Sequence, residues 1–123
     1  MAKFVYHNVN PDGIKEEDCV CRAITLAMGK YSYQEIAKKL YHTGELLDCE
    51  ALCMCCYKFL IENVFMCKPV NCDYMTVAEF ADLHPFGTYL VRTNGHISVI
   101  IDGVCHDIWN CLHRELTNAW EVK

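Results

Sequence analysis

Apolar positions along the chain change period once, from helical to strand-like spacing. Between residues 19 and 84, apolar side chains recur three and four positions apart, as on the buried face of a helix. From Gly87 onwards they form short runs separated by two-residue turns, which is typical of antiparallel strands. Helices followed by strands predict an α+β fold, with N-terminal helices packed on a C-terminal antiparallel sheet of three or more strands. The length predicts a single domain over residues 1–123.

Capping signals give the limits of the first helix. Asp18 is a typical N-cap and Gly29 a typical stop, so a helix is predicted over residues 19–28. Cys19 then lies in its first turn. The preceding residues, 1–17, carry loop signals such as Pro-Asp-Gly, and we predict a loop there.

Three more helices are predicted before the strands. Capping-box sequences that begin at Ser32 and Thr76 predict two of them, and the second stops before Pro85. An apolar stretch from Asp48 through Leu60 predicts a buried helix between these two. Several thiols fall on one side of this helix, a spacing that favours packing: Cys49, Cys53 and Cys56.

The strands and their turns form an antiparallel meander. The predicted strands are Gly87–Thr93, His96–Ile101 and Val104–Trp109. Asn94-Gly95 and Asp102-Gly103 separate them, and such pairs are the strongest short-range signals for two-residue hairpin turns. The turns also fix which residues of neighbouring strands lie opposite each other.

This register brings a histidine and an aspartate to one face of the sheet. If Asp102-Gly103 is a two-residue loop, Ser98 faces Asp107 and His96 faces Trp109. His96 and Asp107 are then diagonal neighbours, about 7 Å apart at Cβ and within reach of a side-chain hydrogen bond. The opposite face carries an apolar set suited to burial: Ile97, Val99, Ile101, Val104 and Ile108.

A histidine oriented by an aspartate is half of a nucleophilic site, and Cys19 is the best candidate for the other half. The positive end of the helix dipole favours a thiolate in the first turn, and an adjacent imidazolium favours it further. The backbone amide of Cys19 can also stabilise an oxyanion. Each group alone has a structural interpretation, since Cys19 can fill the core and His96 with Asp107 can be a structural pair.

Two motifs carry a resemblance to a known family. The helix start Asp18-Cys19-Val20-Cys21-Arg22-Ala23 and the segment Gly95-His96 to Asp107-Ile108-Trp109 resemble the papain-like cysteine peptidase superfamily, in particular its small bacterial and phage members. The resemblance covers nearly the whole chain and is least typical between residues 44 and 75. It implies a papain-like fold with Cys19 as nucleophile, His96 as general base and Asp107 as the acid that orients His96.

The loop before the cysteine departs from the pattern of the family. Papain-like enzymes often place a glutamine or asparagine there as a second oxyanion donor. The sixth residue before Cys19 is instead Gly13, so Asn8 and Asn10 are the candidates for this role, with a plain loop role as the alternative. Without the usual glutamine, less efficient amide hydrolysis is expected.

Two further residues are candidates for substrate binding. Arg22 follows Cys19 by one helical turn, and it can bind a substrate carboxylate or pair with an acidic side chain. Trp109 faces His96 in the predicted register. It can shield the hydrogen bond between His96 and Asp107 from water, or belong to the core.

The motifs predict a cysteine hydrolase of the peptidase, amidase or isopeptidase type, which acts through a thioester intermediate. Two alternatives stay open. An amine can replace water as the acyl acceptor, which would make the chain an acyltransferase or transglutaminase-like enzyme. The domain can also be an inactive papain-like module that binds or inhibits another protein.

Composition narrows the partners. The net charge is −5 and no basic patch occurs, so we expect a peptide or protein substrate and no nucleic acid. No apolar run reaches the roughly 20 residues of a membrane helix, and the N-terminus lacks a signal-peptide pattern. We therefore expect no membrane partner and a cytoplasmic protein, in the host cytoplasm if a phage encodes it.

Ten cysteines are expected to be mostly reduced thiols in the core rather than disulfides. Cys53 and Cys56 form one C-x2-C pair, but no second pair has that spacing. Zinc binding through these thiols is the less favoured alternative. We expect no cofactor and no metal.

Overall fold

The helices and strands form an α+β fold, as the order of the sequence patterns predicts. The computed structural model describes residues 3–11, 18–50 and 53–122, and these contain four α-helices, one π-helical turn and a six-stranded mixed sheet. In chain order the elements are β1 (Lys3–Tyr6), α1 (Cys19–Met28), α2 (Tyr33–Leu47), α3 (Met54–Phe59), the π-helical turn (Leu60–Val64), β2 (Lys68–Pro69), α4 (Val77–Leu83), β3 (Thr88–Thr93), β4 (His96–Ile101), β5 (Val104–Asp107) and β6 (Leu116–Val122).

The capping signals place three helices correctly. Helix α1 ends at Gly29, which takes the left-handed conformation with φ of 70° and donates its N–H to the carbonyl of Thr25. Both predicted capping boxes form, one at Ser32 before α2 and one at Thr76 before α4. Asp18 precedes α1 as predicted, but its side chain caps no amide of the helix, because it bonds to other buried side chains described below.

The predicted helix from Asp48 through Leu60 is wrong at its start. Helix α2 extends to Leu47, and Asp48 ends it in the left-handed conformation, which the short side chain of aspartate tolerates. Helix α3 begins only at Met54 and continues into the π-helical turn. The later start changes which residues face the core. Cys53 therefore lies before the helix and is exposed, whereas packing was predicted for it.

The meander β3-β4-β5 lies in the middle of a larger sheet whose order is β1-β5-β4-β3-β6-β2. Its second hairpin has the predicted register, with Ile101 opposite Val104 and Val99 opposite His106. Strand β5 ends at Asp107 and not at Trp109, because the chain turns there and the Asp107 carboxylate accepts a hydrogen bond from the next backbone amide at 2.7 Å.

Three strands extend the meander into the six-stranded sheet. β6 pairs antiparallel with β3, β2 pairs antiparallel with β6, and β1 runs parallel to β5. Strand β1 lies within residues 1–17, so the loop prediction is wrong for Lys3–Tyr6. This strand is short, lies at an edge and is largely exposed, so its sequence carries little periodic signal.

Both faces of the sheet are buried. On one face, α1, α2 and α3 cover an apolar core that includes Ile97 and Val99 of β4, which the alternation predicts. On the other face, α4 and the segment before β6 cover a second core that includes Phe80 and Ile100. The second core is not predicted by the sequence pattern. Helix α1 packs against β4, and this contact brings the start of the helix to the start of the strand.

The cysteines are mostly buried thiols, as predicted, and all ten are free. The two thiols of the C-x2-C pair have different hydrogen-bond partners. Cys56 is buried and donates to the carbonyl of Leu40 at 3.2 Å, whereas Cys53 is exposed with its sulfur 3.0 Å from that of Cys55. Across the described ranges, no helix combines the length and the apolar character needed to cross a bilayer.

Candidate functional site

Cys19 is the first residue of α1, and it is partly buried at the start of the helix. The first backbone hydrogen bond of the helix runs from the N–H of Arg22 to the carbonyl of Asp18, at 3.0 Å. The amides of Cys19 and the two residues that follow it precede this bond, and they are the donors that a helix leaves without an internal partner. The start of α1 therefore presents a thiol and backbone donors together.

His96 is the first residue of β4, and Asp107 is the last residue of β5. The register predicts that their side chains meet, and the structure confirms it. His96 Nε2 lies 2.6 Å from Asp107 Oδ2, and both residues are buried. The Cys19 thiol also interacts with the His96 ring, and both residues line the same cavity.

The three groups shift one another's protonation. Burial raises the pKa of the Cys19 thiol, but hydrogen bonds from the His96 ring and the Ile97 amide outweigh it and lower the pKa overall. Burial disfavours the charged form of His96, yet its hydrogen bonds, first to Asp107, raise its pKa to about 11. Asp107 keeps a lowered pKa, because hydrogen bonds led by that from His96 outweigh its burial. These shifts favour the thiolate form of Cys19 and the imidazolium form of His96.

Removing the imidazole should therefore make Cys19 a poorer nucleophile. In His96→Ala the burial of the thiol remains, while the hydrogen bond and the positive charge that offset it are lost. We expect the pH midpoint of Cys19 alkylation by iodoacetamide to rise. Mass spectrometry of the Cys19 peptide across a pH series measures the midpoint. An unchanged midpoint would show that His96 does not stabilise the thiolate.

A buried polar network joins the start of α1 to the end of β5. The Asp18 carboxylate accepts hydrogen bonds from Arg22, from Tyr33 at 2.6 Å and from the Asn10 side-chain amide at 3.0 Å. A nitrogen of the Arg22 guanidinium also lies 3.7 Å from an oxygen of Asp107. Of the two roles predicted for Arg22, the structure thus shows the ion pair with acidic side chains. The network fixes the helix start over the strand that carries Asp107.

The predicted oxyanion candidates lie elsewhere. Asn10 is buried and directs its side-chain amide to Asp18, while the side-chain oxygen Oδ1 of Asn8 accepts a hydrogen bond from the Asn10 backbone N–H at 3.0 Å. Neither is among the described residues that line the cavity beside Cys19. Gly13 lies outside the described residues. Within the described ranges, the amides at the start of α1 are therefore candidate oxyanion donors.

A cavity of about 680 Å³ opens beside the reactive groups. Trp109 lines it, and the centroid of its indole ring lies 4.4 Å from that of the His96 ring. The indole is 36% exposed, so it covers the imidazole from the solvent side and does not belong to the core. Trp109 is predicted from the sequence to lie opposite His96 in the sheet. The two side chains are in contact, although the residues are not paired in a strand ladder.

Several lining residues carry no sequence signal of a site. Met54 and Tyr57 come from α3, Arg92 from β3, and Arg114 from the segment before β6. Their approach depends on how distant segments pack, which local patterns do not show. Nothing in the spacing of Arg92 along the sequence indicates that it reaches the cavity.

The described residues also contain one group able to ligate a metal. The ligand atoms of His96, Asp107 and Cys111 lie within 4.8 Å of one another, and all three residues are buried. His96 and Asp107 already bond to each other, and Cys111 packs in the second core.

Comparison of the chain with protein-family models, with curated proteins and with solved structures returned no match.

Proposed function

We propose that this chain is a papain-like cysteine hydrolase that cleaves an amide or isopeptide bond in a peptide or protein. The observation that carries the proposal is the placement of Cys19 at a helix start against His96, with Asp107 2.6 Å behind the ring. The order helix then sheet, the two sequence motifs and the cavity beside the thiol all support it. The absence of a glutamine before Cys19 leaves the helix amides as the oxyanion donors.

In the proposed reaction, the Cys19 thiolate attacks the substrate carbonyl, and a carbon–sulfur bond forms. The oxyanion accepts hydrogen bonds from backbone amides at the start of α1. His96, as imidazolium, gives its proton to the leaving amine while the carbon–nitrogen bond breaks, which leaves a thioester. His96 then removes a proton from water, the hydroxide adds to the thioester, and the acid leaves as the thiolate returns. Asp107 holds the ring in the required orientation throughout.

The perturbed thiol favours an active enzyme over a binding module. A module that only blocks another protein has no need of a cysteine with a lowered pKa, nor of an imidazole held beside it. The geometry is equally suited to water and to an amine as the acyl acceptor. The choice between a hydrolase and an acyltransferase therefore rests on the product.

An activated ester tests the proposal without knowledge of the substrate. With p-nitrophenyl acetate we expect a burst of nitrophenolate close to one per chain, and peptide mapping should locate the acetyl group on Cys19. A hydrolase should then release acetate at a rate insensitive to added glycinamide. Formation of acetylglycinamide at the expense of acetate would indicate the acyltransferase, and acylation spread over the exposed thiols without Cys19 would refute both.

A further inference from the structure

Two arginines line the cavity beside Cys19 without an acidic partner among the described residues. The Arg92 guanidinium donates to the Tyr57 hydroxyl at 2.7 Å and to the Thr117 hydroxyl at 2.8 Å. Arg114 donates to the carbonyl of Asn94 at 3.0 Å. All of these acceptors are neutral, so they orient the guanidinium groups without cancelling their charge.

The hydrogen bonds leave donors to spare on both arginines. A guanidinium carries five N–H groups in a planar fork. The bonds of Arg92 use Nε and Nη1, and those of Arg114 use Nη2. The Arg114 guanidinium also lies 5.8 Å from the centroid of the Trp109 ring, which holds it near His96. Each side chain is thus fixed in place and still able to bind a ligand.

The charge of the cavity is opposite to that of the chain. The net charge of the protein is −5, yet none of the described residues that line this cavity is Asp or Glu. Arg22, the third lining arginine, pairs with Asp18 and Asp107, whose two negative charges exceed its positive charge by one. The thiolate of Cys19 is balanced by the imidazolium of His96. Because Arg92 and Arg114 together exceed this remaining negative charge, a net positive charge remains, and the cavity walls concentrate its field.

We infer that the substrate carries a carboxylate close to the bond that is cleaved, and that Arg92 and Arg114 bind it. An arginine fork pairs with a carboxylate through two parallel hydrogen bonds, which gives both affinity and orientation. The substrate class is therefore an acidic peptide, with the carboxylate on a side chain or at a C-terminus. This inference rests on the proposed function, since it identifies what the same site binds.

Two alkylating reagents of nearly the same size test the inference directly. Iodoacetate carries a carboxylate and iodoacetamide does not, while both transfer their carbon to a thiolate with loss of iodide. We expect the iodoacetate-to-iodoacetamide rate ratio at Cys19, measured by peptide mapping and referred to free glutathione, to fall about tenfold in Arg92→Gln/Arg114→Gln. Lys68→Gln, a charge removed on the edge strand β2, should leave the ratio unchanged.

The outcomes separate this inference from the proposed function. If Cys19 resists both reagents, the proposed function fails. If Cys19 reacts but the ratio is the same in the arginine variants, the function stands and the carboxylate site is refuted. Arg114→Gln alone, in a segment outside the strands, keeps the test valid should the Arg92 change unfold the sheet. His96 contributes equally in all variants, so the difference isolates the arginines.

Protection experiments distinguish the two sources of carboxylate. Three peptides are compared at millimolar concentration: acetyl-Ala-Glu-Ala-amide, acetyl-Ala-Ala-Ala with a free carboxyl end, and neutral acetyl-Ala-Gln-Ala-amide. Slower iodoacetamide labelling of Cys19 with the first supports a side-chain carboxylate, and with the second a C-terminal one. Equal labelling with all three would contradict the inference.

Discussion

Cys19→Ala is expected to form no acyl-enzyme with p-nitrophenyl acetate, and its turnover of any substrate should fall by about 10⁴-fold or more. The sulfur is the atom that bonds to the acyl group, and no other thiol among the described residues combines a helix start with a hydrogen bond to His96. Intact mass and the nitrophenolate burst measure the loss. The thermal unfolding midpoint should change little, because Cys19 is only partly buried.

Cys21→Ala provides the matched control for this loss. Cys21 lies two positions further along α1, and its thiol donates to the Tyr33 carbonyl at 3.4 Å, away from His96. Burial is the main cause that raises its pKa to about 11, so it should not act as a nucleophile. The burst should survive in this variant. A burst that persists in Cys19→Ala and disappears in Cys21→Ala would identify Cys21, and not Cys19, as the nucleophile.

The parts of the site that the sequence predicts are those set by local signals. Gly29 and the two capping boxes fix helix limits within a few residues of themselves, and the Asp102-Gly103 turn fixes the register of its own hairpin. The contact between His96 and Asp107 follows from that register alone. The position of Cys19 in the first turn of α1 follows from the same kind of local signal.

The parts that the sequence does not predict depend on distant segments. Strand β1 is recognisable only through its pairing with β5, and its own exposed residues show no clear alternation. The i,i+4 spacing of Asp18 and Arg22 indicates an ion pair, but the spacing does not place Asp107 on the other side of the guanidinium. The cavity position of Arg114 likewise depends on the path of the chain before β6, which no turn signal specifies.

The network around Arg22 has consequences for folding as well as for the site. Two carboxylates, those of Asp18 and Asp107, are buried against one guanidinium whose side chain is only 5% exposed. A buried ion pair adds little when complete, because desolvation offsets its attraction, but removal of one partner leaves charge buried without compensation. A substitution that removes only the positive charge of Arg22 is therefore expected to destabilise the folded protein.

Arg22→Met should accordingly lower the free energy of unfolding by about 3–5 kcal/mol, a large part of the stability of a domain of this size. Urea unfolding followed by circular dichroism measures the change. Lys58→Met is the matched control, because the Lys58 side chain is half-exposed and its one ion pair among the described residues is with Glu62 at 3.9 Å. Its loss should cost about 0.5 kcal/mol or less.

The same urea unfolding, repeated over a series of acidic pH values, separates a charge effect from a loss of packing. Asp107 has a lowered pKa in the folded protein, so the stability it contributes is present above its unfolded pKa and is lost as pH falls through the folded value. In Arg22→Met the buried carboxylates of Asp18 and Asp107 have one positive group fewer beside them, and protonation of Asp107 in acid lowers this excess of negative charge. The stability gap between the two proteins should therefore narrow in acid. A gap that stays constant with pH, or one no larger than that of Lys58→Met, would show that Arg22 acts through its hydrocarbon stem alone.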